Sequence, residues 1–418
     1  MISGPGPAGK AANLSLIAAA QVLALALWFS GTAAGPDMAQ ESPAIGPGFL
    51  ALLTSGVQAG FVFGTLGSAV LALPDRFDPR RVFACAAVVG ALANLAILVL
   101  PVGSPLVIAA RFVTGVALAG IYPVGMKLAV GWATRGDIGM TVGLLVGGLT
   151  LGSALPHLVN ALGGLSWRVT VASASAVSLV AALLAGALRL GPRHAAAQAF
   201  RPGAALAIWR NRGVRLATLG YLGHMWELYA MWAWVGAYLA ASFAAWRGVS
   251  SGSPGEASAA TFAVIAAGAL GCVAAGRLAD RVGRVRVTIG AMLTSGACCL
   301  LTGPAFGQHP AVTVVLCLVW GVAVVADSAQ FSACVAELAP PELTGTLLTV
   351  QSSLGFVLTL FTIQLMPVLV AQVGWSGSFA ALAIGPALGC LAMGRLGRSR
   401  PFPHHDSASA QSSSRAGR

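Results

Sequence analysis

The sequence predicts an all-α integral membrane protein of twelve transmembrane helices, arranged as two pseudo-symmetric six-helix bundles. Three observations carry this. Of the 418 residues, 57% are hydrophobic and 9% charged, whereas a water-soluble domain carries about a quarter charged residues. Twelve apolar stretches recur between Asn13 and Gly394, each near the ~20 residues that cross a hydrocarbon core. Their composition, rich in Ala, Leu, Gly and Val, suits helices rather than the short alternating strands of a membrane barrel. The two halves of the chain also repeat one another around a polar centre.

The first apolar stretch, Asn13 to Ala34, is long, has Lys10 as its sole basic lead-in and is followed by eleven more, so it reads as a retained helix rather than a signal peptide. Helix centres fall near 24, 61, 91, 118, 150 and 178, then near 230, 266, 296, 323, 358 and 386. The expected organisation is a cytoplasmic N-terminus (1–12), a first bundle (13–190), a cytoplasmic linker (191–214), a second bundle (215–396) and a disordered tail (397–418).

Basic residues outnumber acidic ones by 24 to 12, but their placement speaks against nucleic acid. Arg76, Arg80, Arg81, Arg135, the linker arginines, Arg277, Arg281, Arg284, Arg286 and Arg395 fall in alternate loops or the tail. The intervening loops hold Arg168 and Arg247 against Asp37, Glu41 and Glu256. This positive-inside pattern places both termini and the linker in the cytoplasm of a cell whose plasma (inner) membrane the chain spans. The seven cysteines lie in apolar stretches without metal-ligand spacing and read as core residues, so no metal or cofactor is expected.

The repeat is visible in one loop. After the second helix the chain reads Asp75-Arg76-Phe77-Asp78-Pro79-Arg80-Arg81, and after the eighth it reads Gly276-Arg277-Leu278-Ala279-Asp280-Arg281-Val282-Gly283-Arg284-Val285-Arg286. A fainter echo pairs Arg135-Gly136, before the fifth helix, with Thr344-Gly345 before the eleventh. The second loop resembles the G-x-L-A-D-R-x-G-R-x-R signature of the major facilitator superfamily of transporters. Arg111-Phe112-Val113-Thr114-Gly115 is similar to that family's R-x-x-x-G element on the fourth helix. The first-half loop departs from the signature, with Leu71 in place of the leading Gly. The resemblance covers residues 13 to 396. It implies that Asp280, Arg281, Arg284, Gly276, Asp75 and Arg76 form a cytoplasmic gate, and that helices one, four, seven and ten line a central cavity.

Ionisable groups inside the bilayer are costly, so each needs a purpose. Arg111 lies on the fourth helix, His224 and Glu227 on the seventh and Asp327 on the tenth; Lys127 is placed to snorkel. Helical spacing puts His224, Glu227, Met231, Trp234 and Tyr238 on one face of the seventh helix. Tyr229, Trp226 and Trp232 point elsewhere and read as packing. Arg111 and Tyr122 share a face of the fourth helix, Trp320, Asp327 and Gln330 one of the tenth, and Gln21, Trp28 and Thr32 one of the first. Glu227, with His224 one turn away, is the candidate for proton coupling. Arg111 keeps its charge and requires a partner: a substrate carboxylate, Glu227 or Asp327. His224 and Glu227 alone make too few ligands for a metal.

What these readings imply together is a secondary transporter working by alternating access as a monomer in lipid, coupled to protons. Its expected cargo is a small organic anion or amphiphile held by Arg111, Trp28, Gln21, Tyr122, Trp234, Tyr238, Trp320, Asp327 and Gln330. Alternatives from the same features are a multidrug or metabolite efflux pump and a transporter-like receptor or scaffold. No nucleophile–base pair, ligand set or phosphate loop points to an enzyme.

Overall fold

The structure is a computed structural model and describes residues 7–42, 45–134, 137–162, 166–194, 200–249 and 254–399. The Arg135-Gly136 echo and the tail from residue 400 onward lie outside them. The described residues are helical almost throughout. The long helices are α1 (Pro7–Glu41), α2 (Pro47–Leu71), α3 (Pro79–Ala96), α4 in two pieces (Pro105–Leu118 and Tyr122–Val130), α5 (Ile138–Ala161) and α6 (Trp167–Ala187). The second half gives α7 (Arg212–Arg247), α8 (Pro254–Val282), α9 (Arg284–Ala305) and α10 in two pieces (Pro310–Ala326 and Ser328–Leu338). It closes with α11 (Thr344–Ser378) and α12 (Ile384–Ser399), which starts from a 3-10 turn at Phe379–Ala383.

The helix starts are written in the sequence. Pro47, Pro79, Pro105 and Pro310 each open a helix, where the missing N–H costs nothing and the fixed φ is already helical. Asn211 caps α7 by accepting from the N–H groups of Gly213 and Val214.

Eleven separate segments are long and apolar enough to cross a bilayer, the last running 59 residues from Pro341 to Ser399. That last segment is two crossings. Gly374 has φ 68° and ψ 178°, a left-handed conformation that glycine adopts without a Cβ penalty, and the chain reverses there. Before it, Gly355 meets Tyr221 and Met225 while Ile363 meets Trp234, so α11 runs parallel to α7. After it, Ala381 meets Trp226 and Gly389 meets Gly220, so α12 runs antiparallel.

The halves are built alike down to single glycines. A Cβ on Gly115 of α4 would lie 2.0 Å from the Val57 carbonyl oxygen of α2, and one on Gly321 of α10 would lie 2.0 Å from that of Val264 on α8. Gly64 against Val116 O (2.6 Å) and Gly271 against Val322 O (2.3 Å) repeat the match. Small residues let backbones touch where no water drives helices together. Large apolar side chains such as Leu183 and Leu270 are turned outward and exposed, which suits lipid as the surrounding solvent.

Two helix pairs make most of the seam between halves. Helix α5 follows α8 along its length, from Gly143 beside Cys272 and Gly147 beside Ala269 to Asn160, which donates to Ser258 at 3.2 Å. Helix α2 meets α11 through Gln364, which donates to Ser55 at 2.8 Å, and through the Phe61 and Phe356 rings at 4.6 Å.

Candidate functional site

Helix α7 carries both candidates for proton coupling, His224 and Glu227, with Trp234 and Tyr238, and the structure places them against its own half. Glu227 is 1% exposed. It accepts from Ser295 Oγ at 2.9 Å and Cys299 Sγ at 3.1 Å, both on α9, and from the Trp320 indole N–H on α10. No cation stands among these partners. One turn away, His224 Nδ1 is 2.8 Å from Oδ1 of Asp327 and its Nε2 is 2.8 Å from Ser328 Oγ. Asp327 is the residue at which α10 breaks. Further along, Trp234 donates to Ile363 O of α11 and Tyr238 to Thr302 O of α9.

The face of α7 expected to line the cavity therefore points into the second bundle. Of the three residues that read as packing, Tyr229 and Trp232 meet the first half, while Trp226 donates to Ala381 O of the second. Tyr229 stacks on Trp28 at 5.9 Å and on Phe29 at 6.2 Å, and Trp232 stands edge-on to Phe29 at 5.7 Å. Phe356 of α11 closes the cluster at 5.7 Å from Trp28 and 5.1 Å from Tyr229. The physical reason is that polar side chains inside lipid satisfy one another within a bundle as readily as they face water. Polarity alone does not identify the cavity face. A signal was present: Trp28 and Trp232 occupy matching positions, since the α1–α2 contact Thr32–Thr54 is repeated by Gly236 and Thr261 between α7 and α8.

Arg111 is fully buried and finds neither carboxylate. Its guanidinium donates to Leu53 O, Leu27 O, Ser30 Oγ, Asn94 Oδ1 and Trp28 O at 2.6 to 3.1 Å. These oxygens come from α1, α2 and α3, so Arg111 ties four helices of the first half together. Asn94 extends the network to Ser175 and Val171 O of α6. Gln21 donates to Leu145 O of α5, and Tyr122 opens the second piece of α4 half-buried.

At the basic end, the expected gate residues divide. Arg284 donates to Glu337 at 2.8 Å and to Gln330 at 2.9 Å, so Gln330 is held by the signature loop. Asp280 and Arg281 are exposed at the end of α8. A Cβ on Gly139, in the first turn of α5, would lie 4.0 Å from Oδ2 of Asp280, across the seam, while Gly276 has open space around it. Asp75 pairs with Lys127, which also donates to Pro74 O, and Arg76 is exposed. An apolar groove of about 900 Å³ between α9 and α10, walled by Leu293, Leu301, Val312, Val315 and Val319, opens on the lipid side and holds none of the polar candidates.

Two six-helix halves with a shared helix-crossing pattern define a polytopic membrane protein built on an internal repeat. The Major Facilitator Superfamily model matches residues 16–361 and 217–416, and the chain belongs to that family of transporters. Solved structures similar to it include the nucleoside transporter NupG, at 14% identity and TM-score 0.69 over 92% of this chain and 99% of that one. The proton:xylose symporter XylE is similar at 16% identity and TM-score 0.68, over 92% and 96%. Identities this low establish the fold. No curated protein matches in a sequence search.

Proposed function

We propose that this protein is a proton-coupled secondary transporter that moves a small solute by alternating exposure of the seam between its halves. The carrying observation is Glu227, a carboxyl buried at mid-helix and held by three neutral donors without a cation. A charge so placed is uncompensated, and taking up one proton cancels it. The His224–Asp327 pair gives a second acceptor for that proton, set at the break in α10. Movement of the second piece of α10 is transmitted to the signature loop through Arg284, which grips Gln330 and Glu337 on it.

The halves, 13–190 and 215–396, act as the moving bodies, with 191–214 as their link. The basic end faces the cytoplasm of the cell whose plasma (inner) membrane holds the chain. One chain contains both halves and works as a monomer, without enzymatic chemistry of its own. The proton:xylose symporter is a precedent for such coupling in this fold. Export of amphiphiles is a second reading, favoured by the aromatic seam; net flux in vesicles of known sidedness separates it from uptake.

The test uses proteoliposomes with an imposed proton gradient. Glu227→Gln should abolish gradient-driven accumulation while leaving solute counterflow in place. Accumulation at the wild-type level in that variant would refute the coupling assignment.

A further inference from the structure

The seam holds polar groups whose hydrogen bonds are unmade. Gln58 is fully buried, and among the described residues neither its amide nitrogen nor its oxygen has a partner. The indole N–H groups of Trp28 and Trp232, 0% and 1% exposed, are unpartnered as well. Buried polar groups are paired in the large majority of cases, and each exception requires an explanation. A glutamine amide alone presents two donors and two acceptor lone pairs.

These residues belong to one cluster. On α2, Thr54, Gln58 and Phe61 follow at i, i+4 and i+7 and share a face. On α1, Trp28 and Thr32 are one turn apart. Thr32 bonds Thr54 at 2.6 Å and the Trp28 ring lies 4.8 Å from Phe61, so Gln58 sits between two contacts of the antiparallel pair. Trp232 joins the same cluster through Phe29 and Tyr229. Gln351 also lacks partners, but it lies one turn from Gly355, which meets Tyr221 inside the second half.

The halves differ at this point. By the match of Val57 to Val264 and Gly64 to Gly271, Gln58 corresponds to Ile265, a buried apolar residue. An isoleucine thus fits this position of the crossing, and packing alone does not call for an amide there. Among the described residues no charged side chain is free to pair with a ligand there: the Arg111 donors are taken up by oxygens of its own bundle, one of them the Trp28 carbonyl, while Glu227, His224 and Asp327 are held within theirs. A charged group entering the ring cluster would find no side chain free to form an ion pair with it, at a high cost in low dielectric.

We infer that Trp28, Gln58 and Trp232 form the recognition site for an uncharged, ring-bearing polar solute, which stacks among Phe61, Tyr229 and Phe356. It would offer acceptors to the two indole N–H groups and a donor–acceptor pair to Gln58. This rests on the reading that the seam carries solute, and is independent of which group carries the proton.

The test uses the full chain in lipid nanodiscs, titrated with uridine, thymine, xylose and inositol as neutral rings and with benzoate and nicotinate as anionic ones, followed by thermal shift and tryptophan fluorescence. At least one neutral ring should bind and neither anion should. Trp28→Phe, which keeps the ring and removes the N–H, and Gln58→Leu should each weaken that binding about ten-fold. Gln58→Leu should melt at or above the wild type, because it removes an unpaired amide; a merely structural glutamine would give a lower melting point. Binding of the anions with none of the neutral rings, an absence of binding across the panel, or unchanged affinity in both variants would each overturn the inference. The Trp28 and Gln58 variants leave Glu227 and its three donors in place, and the proton assignment is read separately, by gradient-driven accumulation in proteoliposomes.

Discussion

Arg111 shows how much a side chain's identity leaves open. Its position was legible in the sequence, as was its need for partners, but carbonyl oxygens of α1 and α2 leave no trace in side-chain identity. Lysine keeps the charge and loses the planar fork, so Arg111→Lys strands Leu53 O, Trp28 O and Asn94 together. We expect it to cost about 3 kcal/mol of stability, read as a large fall in detergent melting temperature; a variant that melts normally and loses only anion binding would mean that Arg111 serves solute. Gly31 is part of the same fit, since a Cβ there would lie 2.9 Å from Arg111 Nε. The α7 residues teach a related lesson. Spacing correctly grouped His224, Glu227, Trp234 and Tyr238 on one face, but spacing has no sign, and which face meets the other half depends on partners such as Phe29.

Among the helices, crossing number and polarity were the most legible features, because length and apolarity are properties of one segment. The turn at Gly374 was implied by helix count and located by its backbone. The break in α4 has a signal in the sequence, Pro123 in the first turn of its second piece, whereas nothing around Asp327 stops a helix by type alone. The glycine crossings give a symmetric prediction. Gly115→Ala and Gly321→Ala place a methyl at the same 2.0 Å from a carbonyl in each half and should destabilise by similar amounts, about 1 to 3 kcal/mol, measured by thermal unfolding. Markedly unequal losses would show that the halves do not share this crossing. At the basic end, the Lys10 ammonium and the Thr134 N–H lower the Asp137 carboxyl to about 2 from an ordinary 3.8. A depressed carboxylate contributes stability above its unfolded value and loses it as pH falls through the folded one. Asp137→Asn should therefore melt slightly below wild type at pH 7, solvent screening keeping the difference small, with the two converging as pH approaches 2.

For the assembled halves, the repeat and its signature loop were enough to predict the architecture, whereas the seam depends on how the bundles meet and was read only in part. Trp28 was named from the sequence as a cavity residue and lies in the seam; Gln58 was not named, and Trp232 was read as packing. If the halves rock about this seam, a tether across it stops the motion. Cysteines at Ser55 and Gln364, whose side chains are bonded at 2.8 Å, should be joined by a short bis-methanethiosulfonate reagent that spans them, and flux should halt, with recovery on reduction. Flux that continues through a verified cross-link would exclude rocking at this end.

The aromatic packing of Trp28, Phe61, Tyr229, Trp232 and Phe356 has a thermodynamic consequence. If the halves part during transport, apolar rings are wetted, and hydration of apolar surface raises heat capacity. The balance between the open and closed forms then cannot follow a straight van't Hoff line. It bends with temperature, and the carrier spends different fractions of its cycle sealed in cold and in warm membranes.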